Sequence, residues 1–223
     1  MAQQDVYSIA DLMALPNRKR AQMLNTLSGI KGVHLLGTQS VSGVQNLAIF
    51  NSVLHIGASP AALGILFRPL SVPRDSYENI VETGFFTLNL VTSNMVNAAH
   101  HCAAKWPTDQ SEFAATGLTP KYTDYPAPYV AESPIAVGLK VVDDIHIPFN
   151  DTRLVIGAIE EVLMPRGAVA EDGWVDLDQF DVVSVAGLDT YYLGHLLARK
   201  SYAQTDQVPF DLAIPKQEES SDD

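Results

Sequence analysis

Cysteine is nearly missing from this sequence. Cys102 is the only one, which excludes an intramolecular disulfide framework. Long apolar runs are missing too: GVHLLGT and AALGILF stop at glycine, arginine or polar positions well short of a membrane-spanning length, so no membrane association is expected. The chain does not open with a basic segment followed by an apolar one, as a secretory signal would, and the expected location is cytoplasmic. Positive charge is scarce. Fourteen Lys and Arg face 26 Asp and Glu, for a formal net charge of −12. Such a surface repels phosphate backbones, and the nearest thing to a basic stripe, NRKR at 17–20, suits a solvated helix face, so no nucleic-acid partner is expected.

Several chemical motifs are absent as well. Neither G-x-G-x-x-G nor G-x-x-x-x-G-K-[ST] occurs, which argues against nucleotide binding by either of those loops. No metal site is expected: His100 and His101 are adjacent and point to different helix faces, and VDLDQFD lacks the glycine and terminal glutamate of a calcium loop. There is no G-x-S-x-G, and Cys102, on an alanine-rich helix, reads as a packing residue. His55, His100, Tyr191 and Tyr192 read first as structural residues, with bordering a ligand as the alternative.

What is present is enough apolar chain, 47% of 223 residues, for one large domain. Residues 8–13 and 17–28 read as two short helices, the second capped by Asn17, striped by Ala21, Leu24 and Leu27 and stopped by Gly29. They form an N-terminal arm over 1–30. Strands follow at 32–39, 45–57 and 61–68, then a helix over 76–83, a strand at 85–91, a helix near 93–105, and two long strands at 135–147 and 153–164. The main domain spans 31–205, and 206–223 is an acidic tail expected to be disordered. Helices inserted irregularly between strands predict a mainly β fold, a closed or nearly closed barrel, in place of a doubly wound sheet.

One loop stands out against the negative charge. FRPLSVPRDSYENI carries Arg68 at the end of a strand and Arg74 just before a helix whose cap is Asp75 or Ser76. A helix N-terminus presents unpaired N–H groups and partial positive charge, so this is a natural anion seat. Two readings stand here: both arginines hold a phosphate, or each pairs with a neighbouring carboxylate such as Asp75 or Glu78. Asn51 and Ser52, placed mid-strand, raise a similar choice between a polar ligand along the strand and an edge strand facing water.

The combination of GTQSVSGVQNLAIFNSVLHIGASPAALGILFRP, RDSYENIVETGFFTLNLV and GLDTYY resembles the flavin reductase-like proteins of the FMN-binding split-barrel fold, over residues 35–192. The resemblance implies a Greek-key-like split barrel, a homodimer, and FMN near the dimer interface. It implies Arg74, Ser76 and Arg68 at the phosphate, and Phe50, Asn51, Ser52 and Val53 along the ribityl chain and ring edge. Ser76 stands where threonine is common, which keeps the hydroxyl. SPAA replaces a frequent proline pair, which leaves the local turn shape open.

Redox chemistry would then belong to the cofactor, so no protein acid, base or nucleophile is required. The expected activity is that of an NAD(P)H-dependent flavin reductase, passing hydride from nicotinamide to FMN and electrons on to a small acceptor or a partner oxygenase. A flavin-binding electron carrier and a non-enzymatic dimeric barrel are the alternatives.

Overall fold

The computed structural model describes residues 4–214. Two helices, α1 (Ile9–Ala14) and α2 (Asn17–Leu27), come first. α1 is closed by a reciprocal cap: Asp11 N–H donates to Ser8 Oγ at 3.2 Å, and Ser8 N–H donates to Asp11 Oδ2 at 2.8 Å. α2 begins after Pro16, which occupies the cap position without a side-chain bond, so Asn17 is not the cap. The Asn17 side-chain Oδ1 instead accepts from the Arg20 guanidinium at 2.6 Å. Nor is the α2 stripe buried: Leu27 is 69% exposed.

The remaining elements are β1 (Lys31–Gly32), β2 (His34–Gln39), β3 (Gln45–Phe50), β4 (Val53–Ala58), β5 (Ala61–Phe67), α3 (Asp75–Thr83), β6 (Phe85–Leu90), α4 (Val96–His101), α5 (Glu112–Thr116), β7 (Pro120–Lys121), β8 (Tyr129–Val130), β9 (Ala136–Ile147), β10 (Thr152–Leu163), β11 (Val183–Ala186) and β12 (Thr190–Leu193). Seven of the strands form one antiparallel sheet in the order β3-β2-β6-β9-β10-β5-β4, and β1, β11 and β12 form a small second sheet.

The single strand expected over 45–57 is two strands, β3 and β4, at opposite edges of the large sheet. Only Asn51 and Ser52 separate them. Laid flat, seven strands would hold their edges about 29 Å apart, six spacings of about 4.8 Å. The link from Phe50 to Val53 spans three Cα steps and reaches at most about 11 Å. The sheet must therefore curl until its edges nearly meet, which makes a mainly β barrel split at Asn51 and Ser52.

Over β2 and β6 both faces of the curled sheet are covered, which explains apolar neighbours such as Leu35 and Leu36 in β2. Leu36, Ile65, Phe67, Phe86, Leu88, Leu139 and Val155 fill the barrel, with Ile80 of α3 inserted among them. Leu35, Leu47 and Val91 face outward into a second core beneath α4, α5 and β11. Gly84 ends α3 at φ +78°, its N–H donating to the Ile80 carbonyl at 2.8 Å. The helix expected near 93–105 is shorter: a 3-10 turn at Ser93–Met95 followed by α4.

Of the tail expected over 206–223, residues 215–223 lie outside the described residues. Residues 206–214 belong to no helix or strand and carry only isolated bridges, Gln204–Gln207 and Lys200–Asp211.

Candidate functional site

Asn51 and Ser52 lie at the split itself. Their polarity follows from that position, because a strand break exposes backbone groups that short polar side chains can reach. The Ser52 hydroxyl donates to the Leu66 carbonyl at 2.8 Å, and Leu66 N–H donates to the Ser52 carbonyl at 3.0 Å, which fastens the break to the end of β5. The Asn51 amide donates to the Gly187 carbonyl at 3.3 Å. Both side chains thus find protein partners, a third case beside the polar ligand and the water-facing edge strand.

Val53 opens β4 opposite Ile65. Phe50 closes β3 and starts an aromatic row: its ring meets Phe67 edge-on at 5.0 Å, and Phe67 meets Tyr77 edge-on at 5.5 Å. This row joins three places distant in sequence: the split, the end of β5 and the first turn of α3. Tyr77 is fixed at its far end. Its hydroxyl donates to Asp144 at 2.6 Å, Arg153 Nε donates to the same carboxylate at 2.9 Å, and the Arg153 guanidinium lies 5.7 Å from the Tyr77 ring centre. Burial, reinforced by Asp144, pushes the Tyr77 phenol up to about 12.

Arg68 follows β5 directly. Arg74 is itself the cap residue of α3, in extended conformation, displacing Asp75 and Ser76 from that expected role. Its N–H donates to Glu78 Oε1 at 3.3 Å, and its Nε donates back to the Pro69 carbonyl at 3.3 Å, which draws the loop closed. Among the described residues neither the Arg68 nor the Arg74 guanidinium pairs with a carboxylate, although Asp75 and Glu78 are neighbours in sequence. Tyr77 and Glu78 N–H both bond to the Arg74 carbonyl, while no acceptor within the described residues meets the Asp75 and Ser76 N–H groups.

Ser76 is placed differently from its companions. It is buried, and its hydroxyl accepts from the Asn46 amide at 2.7 Å. Asn79 of the same helix donates to Thr38 Oγ1 at 3.1 Å, so a buried polar network pins α3 to β2 and β3. Six of the seven candidate residues stand in the split or the arginine loop, and the Ser76 side chain is instead buried against Asn46.

A cleft of about 660 Å³ lies against α3, lined by Asn46, Asp75, Tyr77, Glu78, Glu82, Gln110 and others. None of the seven candidates lines it, and its three carboxylates disfavour a phosphate. Burial and the nearby Glu78 hold Asp75 above the usual carboxylate range.

Tyr77, Asn46, Asp144 and Arg153 were not singled out by sequence reasoning. Tyr77, inside the quoted loop, carried the clearest available signal: an aromatic residue in the first turn of a helix beside two arginines.

The fold agrees with known proteins. The chain belongs to the flavin reductase like domain family, which it matches over residues 29–180. A crystal structure from Shewanella frigidimarina, provisionally described as a flavin reductase with split barrel domain, is 43% identical with a TM-score of 0.87, over 90% of this chain and 100% of that one. The flavoredoxin of Desulfovibrio vulgaris is 26% identical with a TM-score of 0.65, over 77% of this chain and 91% of its own. Nitrilotriacetate monooxygenase component B from Bacillus cereus shares the fold at 19% identity and a TM-score of 0.76, over 88% of this chain and 98% of its own. These findings support a flavin-related redox role.

Proposed function

We propose that this protein binds FMN and acts as an NAD(P)H-dependent flavin reductase. The observation that carries the proposal is the pair Arg68 and Arg74, whose guanidinium groups pair with no carboxylate among the described residues in a chain of net charge −12, at the start of α3 beside the barrel split.

The residues present fit the group. Arg68, Arg74 and the Asp75 and Ser76 N–H groups supply donors for a phosphate, and the α3 dipole adds to them. Asn51 offers a side-chain oxygen to the ribityl hydroxyls. Ser52 and Val53 set the edge along which the cofactor lies, and Phe50 supplies apolar surface backed by Phe67. Bound FMN would supply the hydride-accepting and electron-storing chemistry. The chain's own part is to bind, to orient and to keep water from one side of the ring, which requires no acid or base.

A homodimer belongs to the same proposal. Leu54, Ile56 and Ile145 lie on the outer face of the sheet at 47, 43 and 42% exposure, and a second copy would cover them. No helix among the described residues is long and apolar enough to cross a membrane. With one cysteine, we place the protein in the cytoplasm, with a small electron acceptor or a partner oxygenase downstream.

Similarity to a flavoredoxin favours a second reading, an electron carrier that does not react with nicotinamide. Adding NADH or NADPH without oxygen to the FMN-loaded protein separates the two. Rapid bleaching of the visible flavin band is the expected result. Bleaching by dithionite alone would establish the carrier.

A further inference from the structure

The N-terminal arm and the turn between β11 and β12 both lie outside the stretch matched to the family domain. They meet each other, and the turn meets the split. Gln22 of α2 makes two contacts with the turn through its one side-chain amide. Its Nε2 donates to Asp189 Oδ1 at 2.8 Å, and its Oε1 accepts from Leu188 N–H at 3.0 Å. The amide is thus used at both ends, a two-point bond that fixes the turn in one orientation.

Gly187 shows how close this approach is. It sits at φ +64°, and a Cβ there would lie 2.7 Å from Gln22 Nε2 and 3.0 Å from Thr26 Oγ1. Only glycine permits both the left-handed backbone and the helix against it. The Gly187 carbonyl is the group that receives the Asn51 amide. Asn51 stands in the two-residue link that closes the barrel, so the turn holds one edge of the split in place.

The arm is anchored independently at its other end. Lys31 Nζ donates to the Asn25 carbonyl and to Ser28 Oγ, each at 2.8 Å. Lys31 belongs to β1, which pairs with β11 opposite Val185, two residues before Gly187. Helix, small sheet and turn therefore form one unit. The exposed Leu27 shows that apolar burial does not explain the docking of α2. Polar contacts made by Gln22 do.

We propose that Gln22 is a positioning residue for the flavin site: it locks the Gly187–Asp189 turn, and the turn holds Asn51 at the split in the orientation that binds the cofactor. This rests on the FMN reading above. The arm is then part of the site, acting through Asn51 without touching the cofactor.

The test titrates the full-length chain with FMN and records the visible circular dichroism of the bound flavin, which reports the asymmetry of its surroundings. Gln22→Ala is expected to weaken FMN binding about tenfold, the effect of losing roughly one to two hydrogen bonds, and to alter the visible dichroic bands. Gln22→Glu should do the same, because it sets two carboxylates together. Combined with Asp189→Asn, it restores a donor opposite an acceptor and should recover both affinity and spectrum. Gly187→Ala, which pushes the Gln22 amide away, should resemble Gln22→Ala. Wild-type affinity and spectrum in Gln22→Ala would overturn the proposal, as would weak binding that the paired exchange fails to rescue. Failure of the wild-type chain itself to bind FMN would overturn the site reading on which it rests, a distinct outcome read from the first titration.

Discussion

The Asn46 amide donates to the Ser76 hydroxyl at 2.7 Å, tying β3 to the first turn of α3 inside a buried network. This contact fixes the α3 N-terminus against the sheet. Removing the hydroxyl leaves the Asn46 amide with only Thr38, at 3.4 Å. Ser76→Ala should therefore lower stability by about 1–2 kcal/mol, read from urea unfolding midpoints at constant slope. Ser76→Thr keeps the acceptor and should recover most of that loss.

His34 predicts the pH response. It stands on β2 opposite Phe50 and Leu90, its Nδ1 has no partner, and burial holds it down to about 4 from an ordinary 6.5. Between these values the unfolded chain takes up a proton that the folded chain refuses. Its contribution is complete above pH 6.5 and is lost as pH falls through that window toward 4, by up to about 3 kcal/mol. Asp11, Asp172 and Asp178 are held below 3.8, so their contributions are lost only at lower pH. Denaturant midpoints should fall between pH 7 and pH 5, and His34→Leu should flatten that fall. An unchanged slope in the variant would assign the response to other groups.

The exposed sheet face predicts the assembly. Leu54→Asp or Ile56→Asp places a charge where the second copy is proposed to pack, and should convert a dimer to a monomer in sedimentation at micromolar concentration. A wild-type chain that sediments as a stable monomer would contradict the homodimer.

Much of this fold was legible in one sequence because its signals are local. Short apolar segments bounded by turn signals gave β2, β5, β9 and β10, and Gly84 marked the end of α3. Three readings went astray for a common reason. The break between β3 and β4 carries no glycine or proline, so NLAIFNSVLH runs on as one strand until pairing to opposite sheet edges divides it. The cap of α3 is Arg74 by backbone geometry, a role for which no side-chain preference speaks. The stripe on α2 is real as a pattern, yet the helix docks through Gln22. Contacts such as Asn51 to Gly187, 136 residues away, and Gln22 to Asp189, 167 residues away, have no signature within either segment. The candidate site was legible as a list of residues, and the polar framework that holds them emerges only from the three-dimensional arrangement.

The central claim is that the arginine loop holds a phosphate. It is tested most directly by titrating FMN and riboflavin, at one fixed salt concentration, into the wild-type protein, Arg74→Ala and Arg74→Lys. The wild type should bind FMN more tightly than riboflavin. Arg74→Ala should lose about 1.5–3 kcal/mol of FMN affinity, at least about tenfold in Kd, with riboflavin affinity unchanged. Lysine keeps the charge without the planar fork and should recover only part of it. Equal affinities for the two flavins, or FMN curves that coincide across the three proteins, would contradict the account.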